Sequence, residues 1–272
     1  MIAPKFFYEI LLIIYGSTVF FYFLDFLYHN RKANQIAFWL LSMVWLLQTI
    51  FLLVSFIQSS TFPIQSFTGG LYAYSWIIVA MSLFIHRFVR VEFFLFFMSI
   101  AGFLVLLLHV ALSIQQADTS FVETIMHEWL ISHIVLAFVS YGLFTVSFVL
   151  AALFLIQYRL LKMKQGYKWL RRLKDLEGLE LKSFQTITIA QPLLLLSIIL
   201  GVVWAYVSDS VFYWYDSKTI GSIVVFAVYC LYLYLRIGAK YRGKVIAYIN
   251  IVSFIILLIN FILFNQLSNF HI

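Results

Sequence analysis

Apolar runs of about 20 residues recur along the 272-residue chain, each closed by a short polar break. Eight such runs are read, at residues 6–28, 36–57, 70–85, 93–113, 129–160, 184–207, 219–235 and 245–267. A run of this length crosses the hydrocarbon core of a bilayer as a helix, which satisfies its own backbone there. The runs are too long and too uniformly apolar for the strands of a membrane barrel. The expected fold is all-α: a polytopic helical bundle with eight transmembrane helices, forming a single transmembrane domain over residues 1–272.

Composition agrees. Hydrophobic residues make up 64% of the chain and charged residues 11%, too little polar surface for a soluble domain of this size. The first run lacks a small-residue cleavage site and matches the others in length, so it reads as a span and not as a signal peptide.

The few charges set the orientation. Arg31 and Lys32 follow the first span, and Arg87 and Arg90 follow the third. The connector at 162–182 carries Lys162, Lys164, Lys168, Arg171, Arg172, Lys174 and Lys182, and the seventh span runs into Arg236, Lys240, Arg242 and Lys244. Of the 18 lysines and arginines, only Lys5 and Lys218 fall on the opposite side. Basic loops stay cytoplasmic, so both termini are expected outside, in a multi-pass protein of the bacterial cytoplasmic membrane. The net charge of +7 is this topology signal and does not point to nucleic acid.

Within the connector, Leu170, Leu173 and Leu176 recur at helical spacing with Lys168, Arg171, Arg172 and Lys174 interleaved and Trp169 beside them. That pattern predicts an amphipathic helix on the membrane surface. It reads either as a connector held by anionic lipid or as a docking surface for a cytoplasmic partner. Asp25 and Glu9 lie inside the first span, near its ends, where a carboxylate can be functional or can snorkel to water.

Chemistry has few candidates. No Ser/His/Asp set, Gly-rich phosphate loop or His-Glu-x-x-His site is present, and the chain reads as a non-enzyme. The single cysteine, Cys230, excludes disulfide exchange and covalent haem attachment through Cys-x-x-Cys-His. Six histidines remain. His29 and His86 lie beside basic loops, as interfacial residues do. His109, His127, His133 and His271 fall on the outer side, either as helix-end residues bonded to water or backbone, or as iron ligands. The outer loop between spans six and seven carries Phe212-Tyr213-Trp214-Tyr215-Asp216, preceded by Gly201 and Trp204. An aromatic, acid-ended loop between apolar helices suits a flat, apolar, anionic ligand, and haem is the candidate.

Three segments carry a family resemblance. Residues 182–206, with Gln191-Pro192 and Gly201-Val-Val-Trp204-Ala-Tyr, resemble the approach to the tryptophan-rich loop of the cytochrome c assembly family, the haem-handling membrane proteins of the CcsA, ResC and CcmC type. Trp129-Leu-Ile-Ser-His133, followed by Ser140-Tyr141-Gly142, resembles that family's Trp-Leu-x-x-His helix; Phe62-Pro63-Ile64 with Ser75-Trp76 is a weaker match. The resemblance implies a haem platform built by Trp204, Tyr213, Trp214, Tyr215 and Asp216, with His133 and His271 as the two external iron ligands. Lys218 and Arg236 also match.

The departures from the family are specific. Asp209, Tyr213 and Tyr215 stand where the family has tryptophans, Ser210 where it has glycine, Ser217 where it has proline and Thr219 where it has glutamate. Tyr234 and Thr61 stand where it has the two membrane histidines used to receive haem from the inner side. The resemblance therefore implies a branch that kept the scaffold and lost part of the haem route. Such a branch is expected to regulate haem (tetrapyrrole) biosynthesis by lowering the level of glutamyl-tRNA reductase, with the reductase or its protease as cytoplasmic partner at Lys168, Trp169, Arg171, Arg172 and Lys174. The alternatives are a haem carrier or ligation component of cytochrome c maturation, and an assembly factor without a ligand.

Overall fold

A computed structural model of the chain describes residues 3–28, 30–59, 67–89, 93–115, 128–164, 175–207 and 217–264. These residues form α1 (Ala3–Tyr28), α2 (Arg31–Ser59), α3 (Phe67–Val89), α4 (Phe94–Gln115), α5 (Glu128–Lys162), α6 (Leu176–Val207), α7 (Ser217–Ile237) and α8 (Lys244–Ile259), the last continued by a π turn over Asn260–Phe264. Each contains a stretch long and apolar enough to cross a membrane, and no strand occurs among the described residues. The eight expected spans are thus all present as helices.

Two helices begin earlier than hydropathy indicates, and local capping explains both. Asn30 Oδ1 accepts the amides of Lys32 and Ala33 at 3.0 and 3.4 Å, which starts α2 ahead of its apolar run. Asp175 Oδ2 accepts the amide of Gly178 at 2.9 Å and starts α6 at Leu176. The last turns of the predicted connector, 176–182, therefore belong to the membrane helix, with Leu179 fully buried. Residues 165–174, which include Lys168, Trp169, Arg171, Arg172 and Lys174, lie outside the described residues.

The chain groups into two compact units, Met1–Thr124 and Ile125–Ile272. In the first, α1 packs on α2 and α4, and α3 pairs with α4. Its interior is rich in tyrosine: Tyr15, Tyr22, Tyr72 and Tyr74 are almost wholly buried. Asp25, left by the sequence between function and snorkelling, is 2% exposed and accepts a hydrogen bond from Asn34 Nδ2 at 2.8 Å. Glu9 is exposed.

In the second unit α5 is the central helix, buried on most of its circumference from Phe138 to Phe154. It lies along α6, and α8 packs on it while α7 closes against α6 and α8. Lipid provides no hydrophobic drive between apolar helices, so shape and interhelical hydrogen bonds must select the partner. The α5–α6 seam has three such rungs. His133 meets Ser197, Ser140 Oγ donates to the Ala190 carbonyl at 3.0 Å, and Ser147 Oγ donates to the Ser183 carbonyl at 2.9 Å. Each rung lies one heptad from the next on both helices, the repeat that keeps a seam facing its partner. The lowest rung is shared by α8, whose Asn250 Nδ2 lies 2.9 Å from the hydroxyls of both Ser147 and Ser183.

The end of this unit bearing the α7–α8 loop is pinned by charge. Arg236 and Glu180 pair at 2.7 Å with side chains only 7% and 12% exposed. Glu180 Oε2 also accepts the amide of Gly243 at 2.9 Å, and Arg236 donates to the Tyr241 carbonyl at 3.2 Å. Gly243 adopts φ +68°, a left-handed conformation that suits a residue without Cβ and lets the chain turn into α8.

Candidate haem site

His133 occupies the top rung of the α5–α6 seam. Its Nδ1 lies 2.6 Å from the Ser197 carbonyl, and the Ser197 hydroxyl donates to the His133 carbonyl at 2.9 Å. A carbonyl only accepts, so Nδ1 must carry the proton, and the neutral ring then has its lone pair on Nε2. Histidines that bind metals are oriented in this way, with the far ring nitrogen donating to a carbonyl or carboxylate. The ring chemistry at His133 therefore fits one axial position on haem iron.

The flat face of the imidazole rests on Gly201. A Cβ added there would lie 2.8 Å from both Cε1 and Nδ1 of His133. Glycine at 201 is thus a requirement of close approach. Ser197, Gly201 and Trp204 follow one another at four- and three-residue steps on a single face of α6, and Trp204 is 8% exposed. The structure thus brings together His133 and Gly201 from the residues singled out in the sequence, with Trp204 one turn further along α6. It adds Ser197, whose signal was a lone hydroxyl inside the run Leu193–Leu200, in heptad step with Ser183 and Trp204.

The other expected ligand residues, Tyr213, Trp214, Tyr215, Asp216 and His271, lie outside the described residues, as do His127 and Asp209. The chain segment that leads to His271 starts close to α5. Asn260 Nδ2 donates to the Tyr141 hydroxyl at 3.4 Å, and the Phe261 ring lies 6.3 and 5.9 Å from those of Phe138 and Tyr141.

The family signature residues outside the site have structural roles. Ser140 forms the middle rung, and Gln191 Nε2 donates to the Phe226 carbonyl at 2.9 Å and reaches Cys230 Sγ at 3.1 Å, tying α6 to α7. Trp76 Nε1 donates to Thr49 Oγ1 at 2.8 Å and joins α3 to α2. Tyr234, where the family has a membrane histidine, is 67% exposed on α7, so that position faces away from the unit's interior. His109 belongs to the first unit and has Nδ1 2.7 Å from the Thr68 carbonyl. No group of three or more metal-binding side chains forms among the described residues.

Comparison with known proteins places these features in context. The profile of the family described as "Cytochrome C assembly protein" matches residues 64–271. "Protein HemX" of Bacillus subtilis (strain 168) is 44% identical over 260 residues, covering 96% of this chain and 94% of that protein. "Protein HemX" of Brevibacillus brevis is 36% identical over 272 residues, covering 100% and 99%. "Cytochrome c biogenesis protein CcsA" of Chlamydomonas reinhardtii is 27% identical over 143 residues, covering 52% of this chain and 39% of that protein.

Proposed function

The chain belongs to the cytochrome c assembly protein family and is a multi-pass bacterial membrane protein similar along its whole length to HemX, and on that premise we propose that it regulates haem synthesis, lowering the level of glutamyl-tRNA reductase and binding haem on its outer face. The observation that carries the haem part is the His133 Nδ1 contact to the Ser197 carbonyl, which puts the imidazole lone pair on Nε2. When bound, haem supplies an iron that takes two axial nitrogens and a flat apolar face. His133 would hold the iron through Nε2, and Trp204 lies on the same face of α6 as Ser197 and Gly201. His271, in the segment that follows α8 and its π turn, would supply the second nitrogen ligand.

The regulatory part rests on two supports. Over nearly the full chain the HemX proteins are 44% and 36% identical, whereas the CcsA protein of Prochlorococcus marinus (strain MIT 9312) is 25% identical over 88% of it. Position 234, where the family places a membrane histidine, holds a tyrosine that points outward, as expected of a chain that does not pass haem through the bundle. The basic connector with Lys168, Trp169, Arg171, Arg172 and Lys174 then presents the reductase, or its protease, at the cytoplasmic surface. No catalytic step is assigned to the chain itself.

The test is a deletion strain in which glutamyl-tRNA reductase is quantified by immunoblot. A rise in reductase on deletion, reversed by the wild-type gene, supports the reading; unchanged reductase overturns it. The visible spectrum of the purified protein tests haem separately, with a Soret band expected in the wild type and lost in His133→Ala and His271→Ala. A second reading, haem ligation in cytochrome c maturation, draws on the family match. It requires that deletion deplete c-type cytochromes and leave the reductase unchanged.

A further inference from the structure

The loop between α7 and α8 carries positive charge that the fold itself does not use. Arg236, at the end of α7, is turned into the unit and paired with Glu180 at 2.7 Å. Lys240, Arg242 and Lys244 follow it, and all three are exposed. Among the described residues, none of the three pairs with a carboxylate. Glu180 is already engaged by Arg236 and by the amide of Gly243, and Glu177, one turn before it on α6, is exposed.

The backbone holds these charges in fixed places. The amides of Gly238 and Ala239 donate to the Tyr234 carbonyl at 2.8 and 3.1 Å, and the amide of Tyr241 donates to the Leu235 carbonyl at 3.0 Å. Between them Lys240 adopts φ +57°, a left-handed conformation that glycine takes more readily because it has no Cβ. A lysine stands there in spite of that steric cost. At the far side Gly243 is tied to Glu180, so both ends of the loop are anchored.

The surface around the charges is apolar and aromatic. Tyr234, Ile237, Tyr241, Val245 and Tyr248 are all exposed, and Lys244 Nζ lies 5.4 Å from the centre of the Tyr248 ring. Both flanking helices are long and apolar enough to cross a membrane, so this patch falls where a span meets the headgroup layer. Tyrosine rings suit the glycerol level of that layer, and ammonium and guanidinium groups suit its phosphates.

The two halves of the patch decide between occupants. An acidic peptide or a free anion would meet the charges and leave Ile237 and Val245 without a partner. A phospholipid of net negative charge meets both, with its phosphate on the basic side chains and its acyl chains along the exposed faces of α7 and α8. We propose that the α7–α8 loop is a binding site for an anionic phospholipid, separate from the basic connector at 162–182. A headgroup held by Lys240 on one side and Lys244 on the other links the end of α7 to the start of α8, beside the Glu180–Arg236 pair.

The test is native mass spectrometry of the purified full-length protein, titrated in detergent with phosphatidylglycerol and, as a neutral control, phosphatidylcholine. Wild type is expected to retain phosphatidylglycerol several-fold better. The triple variant Lys240→Asn, Arg242→Gln and Lys244→Gln should lose most of that preference; asparagine is chosen at 240 because it tolerates the left-handed conformation. Equal retention of the two lipids by wild type leaves the loop to an acidic protein partner and overturns the proposal, as does a triple variant with the wild-type preference. A photoactivatable phosphatidylglycerol, cross-linked to the wild-type protein in vesicles of phosphatidylcholine, needs no variant. Adducts within residues 234–248 support the site, and adducts confined to other segments, the connector included, overturn it.

Discussion

His133 and Ser197 grip one another in both directions, each side chain on the other's backbone: Nδ1 donates to the Ser197 carbonyl at 2.6 Å, and the Ser197 hydroxyl donates to the His133 carbonyl at 2.9 Å. Only the second bond depends on the serine side chain. Ser197→Ala should therefore keep the tautomer and lose about 1 kcal/mol of stability, the usual worth of one hydrogen bond. Haem affinity should fall by less than tenfold. Thermal unfolding in detergent and haem titration followed at the Soret band measure the two effects.

Gly201→Ala acts on the same ring by contact instead of bonding. The new methyl would stand 2.8 Å from Cε1 and Nδ1, inside van der Waals range, so the ring or the helix must shift. A shift of the ring strains its bond to the Ser197 carbonyl. A destabilisation of about 1–3 kcal/mol is expected, together with a change in the spectrum of bound haem greater than that of Ser197→Ala. A spectrum identical to wild type would mean that His133 is not a ligand.

What the sequence made legible follows from what a bilayer makes different. Span positions were readable because ~20 apolar residues have one use in a polytopic chain. The inward faces were not, because lipid-facing and core-facing positions are equally apolar: Leu194 is buried while Leu195 and Leu196 are exposed. The readable trace of the inner face is the rare polar residue in heptad step. Ser183 and Ser197 on α6, His133, Ser140 and Ser147 on α5, and Tyr8, Tyr15 and Tyr22 on α1 all show it once the partners are known. His133 was found through its motif, whereas Ser197 was passed over because one serine in an apolar run has many bland explanations. The starts of α2 and α6 were missed because a single capping Asn30 or Asp175 outweighs hydropathy locally.

The Glu180–Arg236 pair is expected to matter more when halved than when removed. At 7% and 12% exposure neither charge has water to fall back on. Among the described residues, Glu180→Leu should leave Arg236 with the Tyr241 carbonyl and the Phe184 ring, 5.5 Å away, and no carboxylate partner, at a cost of about 3 kcal/mol or more. The double variant Glu180→Leu with Arg236→Leu should recover a large part of that loss. Denaturation of the four proteins as a double-mutant cycle gives the coupling energy.

Asn250 joins three helices through one amide. Its Nδ2 lies 2.9 Å from the hydroxyls of both Ser147 and Ser183 and 3.1 Å from the Ser147 carbonyl. Asn250→Leu keeps the volume and takes one donor from each serine hydroxyl, and should cost about 1–2 kcal/mol, the upper range for polar contacts in membrane bundles. Ser147→Ala in that background should then cost less than in the wild type, since its bond to the Asn250 amide is already gone and only those to Ser183 remain to be lost. Thermal unfolding of the single and double variants distinguishes this non-additivity from two independent losses.

The connector charges separate the two halves of the proposed function. Replacing Lys168, Arg171, Arg172 and Lys174 by glutamine removes four positive charges at the membrane surface while leaving His133 and its seam intact. If the reductase, or the protease that removes it, docks there, reductase levels should rise to those of a deletion strain while the purified variant still binds haem. If the same charges serve only to anchor the connector to anionic lipid, each contributes roughly 1 kcal/mol at the surface. Reductase levels should then stay at wild-type values, and only the pull-down of the connector onto anionic vesicles should weaken. Adding Trp169→Ala sharpens the distinction. An aromatic side chain at a protein interface is often a dominant contact, so docking should be lost outright, whereas on lipid its removal should merely reduce partitioning. Immunoblot of the reductase beside vesicle sedimentation of the connector peptide decides between the two.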